Sequence, residues 1–304
     1  MADKGARTLD LPDLTVPVGD TSTLRQVLSK LARKQLRDFL RLPTSLASAE
    51  TRQLHLQTAS LLQQLARQDL RRAIRIVRLP SHGCLIESLR QRAIPASDRE
   101  SFEGWLRELC LLVLLEMAVQ GDLPEGGVEV PCQPGGPPKL RSLTANLLVE
   151  CAPPMVALCF SPGTLIVRHG NGERVIDLRD DGPADADFQD RVRISRPYHR
   201  IVDEIFLAEA DNNPCSIFRD HPEQEGRELG LGDRPLQDWL DAFAEAFALI
   251  DEFIPLVGQE LRLVARLIFP VGFLPERHLS ASYQEMIGTA YMSLHPRVMT
   301  IAEA

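Results

Sequence analysis

LCLLVLL, at positions 109–115, is the most hydrophobic run in the chain, and Glu108 and Glu116 bound it directly. A membrane span needs about 20 apolar residues, so a run this short cannot cross a bilayer and must lie inside a protein core. The surrounding residues identify it as helix. Ser97 and Glu100 form the S-x-x-E start signal, and the pattern runs through Trp105 and the apolar segment to stop before Gly121. A buried helix of this kind needs partners on every side. Two amphipathic segments upstream can supply some of them: STLRQVLSKLARKQLRDFLRL and ETRQLHLQTASLLQQLARQDLRRAIRIV repeat apolar residues at helical spacing and are separated near Pro43. Residues 21–120 therefore read as a helical module, preceded by a loose tail over 1–20 that carries Pro12 and Pro17.

The pattern changes after residue 120. GDLPEGGVEVPCQPGGPPKL, 121–140, is dense in Gly and Pro, and 121–145 is expected to be a linker or long loop. Beyond it, MVALCF and TLIVRHGNGERVIDL have strand character, and Asn171-Gly172 is a hairpin turn signal. The HGNG within that hairpin is not read as a phosphate loop, because no helix start follows it. A helix opens near Pro235 and places Leu236, Trp239, Leu240, Phe243, Phe247, Ile250 and Ile254 on one face, with Asp238, Asp241 and Glu245 off it as a solvated acidic face. ELRLVARLIFPVGF predicts a helix end and a buried strand, and TAYMSLH alternates as a further strand. The fold class expected is α+β, predominantly helical: an N-terminal helical module, then a mixed α/β region with a few strands over 146–304.

Charge narrows the partners. The net charge is −8 with a pI near 5.5, which argues against nucleic-acid binding by the protein as a whole. Residues 21–120 nevertheless hold 16 Lys/Arg against 9 Asp/Glu, an excess of +7, so the remainder carries −15. Such a module can attract an acidic peptide, although solvated helix faces account for the same excess. Six cysteines without a C-x-x-C pair, and no signal peptide, read as reduced thiols of a cytoplasmic protein, with Cys110 and Cys159 in the core.

Motif searches by spacing return little. The chain contains no G-x-S-x-G, no G-x-x-x-x-G-K-[ST], no G-x-G-x-x-G and no H-E-x-x-H. RDDGPADADFQD fails as a calcium loop, since the ligand run beginning at Asp185 lacks Gly at its sixth place and has Arg196 at its twelfth. His221 and Glu223, with His278 or His295, match a two-histidine, one-carboxylate iron site, but the seven histidines yield about one such pair by chance. His55, on a Leu/Gln-rich helix, reads as a surface or boundary residue. The densest polar cluster is ERHLSASYQEMIGTAYMSLHP, 276–296, and the chain closes on HPRVMTIAEA, where Thr300 and Glu303 have capping-box spacing. That signal announces a helix of which only the first turn is present, and one turn is not stable alone. Residues 295–304 are thus expected to be a frayed tail, or the chain to be incomplete at its C-terminus.

HLSASYQEMIGTAYMSLHPRVMTIAEA resembles the run immediately before the metal-binding helix in the HExxH-type peptide-modification family, which includes iron(II)/2-oxoglutarate-dependent peptide β-hydroxylases associated with ribosomally made, modified peptides. DNNPCSIFRDHPEQEG and the segment from Trp239 to Gly272 are similar to family segments too, so the likeness covers about residues 200–304 and is weaker over the N-terminal helices. The resemblance implies a following helix whose two histidines, four apart, share one face and hold a metal. It also implies iron(II) and 2-oxoglutarate as cofactors of the complete protein, and a precursor peptide as partner. None of the family's ligands falls within residues 1–304. These residues alone are therefore expected to hold no metal, contain no catalytic residue and catalyse no hydroxylation, and to be marginally stable or prone to associate. Ser282, Tyr283, Glu285 and His295 are the residues that the resemblance implies line the substrate or cosubstrate pocket. Two alternatives stay open: a non-catalytic helical module that binds a peptide or partner, and a relative of zinc metallopeptidases, in which H-E-x-x-H serves hydrolysis.

Overall fold

The computed structural model describes residues 20–91, 99–132, 139–170, 172–180, 182, 184, 185, 187–189, 191–209, 230–273, 280–282 and 286–294. Among them the architecture is α+β, with seven helices and twelve strands in three sheets. The strands are more numerous than the few that the sequence predicts.

Five helices come first: α1 (Ser22–Leu40), α2 (Ala49–Gln68), α3 (Leu70–Val77), α4 (Pro80–Gln91) and α5 (Arg99–Gln120). On α1 the buried residues Leu28, Ala32, Leu36 and Phe39 follow the helical repeat. The single helix expected over 50–77 is two. Asp69 leaves helical geometry at φ −145°, ψ 94°, and its carboxylate accepts hydrogen bonds from the amides of Arg71 and Arg72. Those bonds satisfy donors that the first turn of α3 would otherwise leave free. α4 has no counterpart among the helices predicted from sequence; it begins on Pro80, a residue suited to a first helical turn. The expected cap at Ser97 lies outside the described residues.

α5 matches the reading of its apolar run: Leu109 to Leu115 are each 1% exposed or less. Its end is fixed by a Schellman motif, in which Asp122 N–H donates to Met117 O and Gly121 N–H to Ala118 O. Gly121 takes φ +73° there, a conformation that a side chain disfavours. Arg72, from α3, donates to Gln120 O at 2.8 Å and pairs with Asp122 at 3.0 Å, placing a cation at the negative end of α5.

The 121–145 segment is not simply a linker. It contributes β1 (Val128–Pro131) and β2 (Leu140–Ser142), whose Val128, Val130 and Leu140 are buried in the core that α5 organises. The Gly and Pro content suggested a loop, but the period-2 burial of β1 is what decides its structure. β1 joins β4 (Met155–Ser161), β5 (Thr164–His169) and β6 (Gly172–Asp177) in an antiparallel sheet of order β1-β4-β5-β6, with His169 opposite Gly172 at the expected hairpin; Asn171 lies outside the described residues. A second antiparallel sheet has the order β2-β3-β7, with β3 (Leu147–Cys151) and β7 (Val192–Ser195). One hydrophobic cluster runs from Phe39 and Leu62 through Leu112 to Phe160, Val167 and Val192, so the helical module and these two sheets share a core.

The third sheet is mixed. Its order is β11-β12-β10-β9-β8, from β8 (Tyr198–Val202), β9 (Ile205–Ala208), β10 (Leu267–Phe273), β11 (Ser280–Ala281) and β12 (Thr289–Leu294). β10 runs parallel to both β9 and β12. α6 (Leu236–Phe253) and α7 (Pro255–Val264) lie between β9 and β10 in sequence. Trp239 and Phe247 of α6 pack on Leu207 and Ile268 of the sheet, while Asp238, Asp241 and Glu245 are exposed, as the sequence predicts. The other face of the sheet carries Phe269 and Tyr291, stacked at 4.9 Å, and meets Cys84 of α4 and Trp105 of α5. Gly288, at φ +95°, turns the chain into β12 where a Cβ would lie 2.9 Å from Val264 O. Among the described residues no helix is long and apolar enough to cross a membrane.

If α5 is the shared core, Leu112→Ala should cost about 2–5 kcal/mol in urea unfolding, because the surrounding packing cannot fully collapse onto the gap. Val27→Ala on α1, at a residue 52% exposed, should stay within about 0.5 kcal/mol of wild type.

Candidate functional site: an arginine-rimmed cleft

The residues singled out by the family likeness contribute little geometry. Ser282 follows β11 and is exposed. Tyr283, Glu285 and His295 lie outside the described residues, as do His221, Glu223, His278, Thr300 and Glu303.

Among the described residues no group of three or more His, Cys, Asp or Glu can hold a metal ion. The histidines there serve other purposes. His55 is buried, contrary to the expectation of a surface or boundary residue: its Nε2 lies 3.0 Å from Phe39 O, and its ring meets the Phe39 ring edge-on at 5.3 Å. It shares a face of α2 with the buried Thr51, Thr58 and Leu62, the face turned toward the core. Burial lowers its pKa. His82 is buried on α4 with Nδ1 2.8 Å from Ile76 O, and burial pushes its pKa down to about 4. His199 Nε2 contacts Glu209 Oε1 at 2.5 Å on the third sheet. These residues do not fit the ligand set of an iron site.

Nucleophilic chemistry fares no better. Burial pushes the Cys110 and Cys151 thiols up to about 12, away from the thiolate form that attacks. Glu116 on α5, the most deeply buried carboxylate among the described residues, accepts a hydrogen bond from the Ser142 hydroxyl at 2.7 Å, and burial raises its pKa. Arg141, the neighbour of Ser142 on β2, pairs with Glu108. The two acidic residues that bound the apolar run thus fasten α5 to β2.

The described residues form a cleft of about 410 Å³ between α1, α3 and the end of α7. α1 presents Arg25, Leu28, Ser29, Ala32 and Arg33 to it, positions that recur at i, i+3, i+4, i+7 and i+8 on one helix face. α3 adds Leu70, Arg71 and Ile74, and α7 adds Leu263. Arg78, at the C-cap of α3, closes one end: its Nη2 donates to Leu263 O at 2.7 Å and ties α3 to α7. Burial is the main cause that lowers its pKa, with Arg266 adding like-charge repulsion. The floor is apolar and the rim is positive.

Among the described residues no Asp or Glu lines the cleft. Arg25, Arg33 and Arg71 are exposed, and among the described residues none of them pairs with a carboxylate. Arg25 Nε donates instead to Thr21 Oγ1 at 3.0 Å. Neighbouring cations on the same module are paired, Arg90 with Glu87 and Lys34 with Asp38. The basic excess of residues 21–120 pointed to this module. It could not locate the cleft, whose third wall comes from residue 263.

The buried His82 generates a pH prediction. In the unfolded chain imidazole takes up a proton near pH 6.5, and in the fold only near 4, so the unfolded state binds more protons between those values. Its contribution is therefore complete above pH 6.5 and lost as pH falls toward 4, by up to about 3 kcal/mol. The stability difference between wild type and His82→Gln, measured by urea unfolding at several pH values, should shrink over that window. A difference independent of pH would contradict the assignment. Comparison with protein-family models, with curated proteins and with solved structures finds no match to this chain.

Proposed function

We propose that this chain recognises a peptide as part of a metal-dependent peptide-modifying enzyme, its residues supplying peptide binding and framework while the metal ligands come from outside residues 1–304. The observation that carries peptide recognition is the cleft, where an apolar floor lies under arginines that have no carboxylate partners among the described residues. It lies where helices from the two halves of the chain meet, a common position for ligand sites.

The modifying chemistry rests on the resemblance of residues 278–304. β12, the described strand of that segment, is an inner strand between β11 and β10, and inner strands make rigid supports for neighbouring sites. Iron(II) with 2-oxoglutarate, when bound, supplies oxygen insertion at an unactivated β-carbon, a task beyond side chains alone. The cleft equally supports a second reading, a non-catalytic module that binds a peptide for a separate enzyme.

Protein translated from the whole open reading frame, supplied with iron(II), 2-oxoglutarate and its peptide, should add about 16 Da to the peptide and form one succinate per oxygen inserted. Residues 1–304 alone should bind the peptide without turnover. Peptide cleavage without 2-oxoglutarate consumption would instead favour the zinc peptidase, and binding without any modification would favour the helper.

A further inference from the structure

We infer that the cleft between α1, α3 and α7 docks an acidic amphipathic helix of the peptide, with apolar side chains on Leu28, Ile74 and Leu263 and carboxylates against Arg25, Arg33 and Arg71. The inference rests on reading the chain as a peptide-binding protein and names the kind of peptide.

Charge complementarity is the first argument. Three exposed guanidinium groups converge on one concavity without an opposing carboxylate among the described residues, whereas Arg72 on the same α3 is paired with Asp122. An uncompensated positive rim attracts a partner of opposite sign and orients its approach. The floor supplies the second. Leu70 is 41% exposed, and Ile74 and Leu263 are half-buried, so apolar surface is left in water at the foot of the arginines. An occupant that is only anionic would leave this surface uncovered. A helix with apolar anchors at i, i+3 and i+4 and acidic flanks matches both halves of the site.

Size and composition favour this occupant over a nucleic acid or a membrane. About 410 Å³ accommodates a few side chains, in keeping with anchors from one helix. Among the described residues no aromatic side chain lines the cleft to stack on a nucleic-acid base. Outside residues 21–120 the chain carries −15, which disfavours broad contact with an anionic membrane or polynucleotide. The Arg78 bridge to Leu263 O holds α7 in place as a preformed wall, which reduces the ordering cost of binding.

The test uses the 304-residue chain and a fluorescein-labelled synthetic helix of about 16 residues, with leucines on one face and glutamates flanking them. Fluorescence anisotropy should show saturable binding that weakens about tenfold or more in the Arg33→Glu/Arg71→Glu variant, and also between about 50 and 300 mM salt. Leu70→Glu should weaken it as well. Arg52→Glu, an exposed change on α2 away from the cleft, should leave it unchanged, and circular dichroism confirms that each variant is folded. Equal binding by Arg33→Glu/Arg71→Glu would overturn the assignment. So would equal binding of a scrambled peptide whose leucines share no face, or preferential binding of a single-stranded oligonucleotide or of phosphatidylserine vesicles. If the whole-frame enzyme modifies its peptide equally well with Arg33→Glu/Arg71→Glu, the cleft assignment fails while the enzyme reading stands. If the acidic helix binds through the arginines but no 2-oxoglutarate-dependent modification occurs, the enzyme reading fails while the cleft stands.

Discussion

Residues 109–115 of α5 are closed to solvent on every side, and that burial sets the arrangement of the first two-thirds of the chain. An apolar helix face left in water would cost free energy in proportion to its area, so α5 requires cover all round. α2, α3 and α4 supply it from one direction, and the strands of the first two sheets from the other. The acidic residues at the ends of the run fix its placement through β2, Glu108 to Arg141 and Glu116 to Ser142. A boundary between the helical module and the sheets would divide this core.

The cleft is a consequence of the same packing. Covering α5 holds α3 in place, and α1 packs against α3 with its own apolar face turned inward. The arginines of both helices are left at the surface around the groove that remains between them. α7 belongs to the third sheet's layer, yet Arg78 ties it to the end of α3. The site is therefore made by the joining of two regions, and no single element contains it.

Much of this was legible in the sequence where the signal is local. The buried helix around LCLLVLL, the α6 face carrying Trp239 and Phe247, the hairpin through Gly172 and the alternating β12 all follow from periodicity and turn chemistry. Errors arose where one residue or a distant partner decides. Asp69 splits a continuous helical pattern by capping a new start. Val128, Val130 and Leu140 became strand residues within a Gly/Pro-rich stretch because the core offered them burial. His55 sits on the buried face of α2, and its ring nitrogen finds a partner in the Phe39 carbonyl of α1, a contact that no spacing on α2 reveals. The candidate site divides the same way: its charge excess is written in residues 21–120, whereas its floor depends on Leu263, nearly two hundred positions from Arg78. Of the residues carried over by family likeness, only Ser282 falls within the described residues, and it is exposed.

The most direct test of this account is native-state hydrogen exchange under increasing urea, followed at amides of α5 and of β4 and β5. If the helices and the first two sheets share one core, the slowest amides of residues 106–118 and of β4–β5 will exchange through the same global opening, with the same free energy and urea dependence. Exchange of the helical amides through a separate, cheaper opening while β4 and β5 stay protected would contradict it, and would make the helical module a domain of its own.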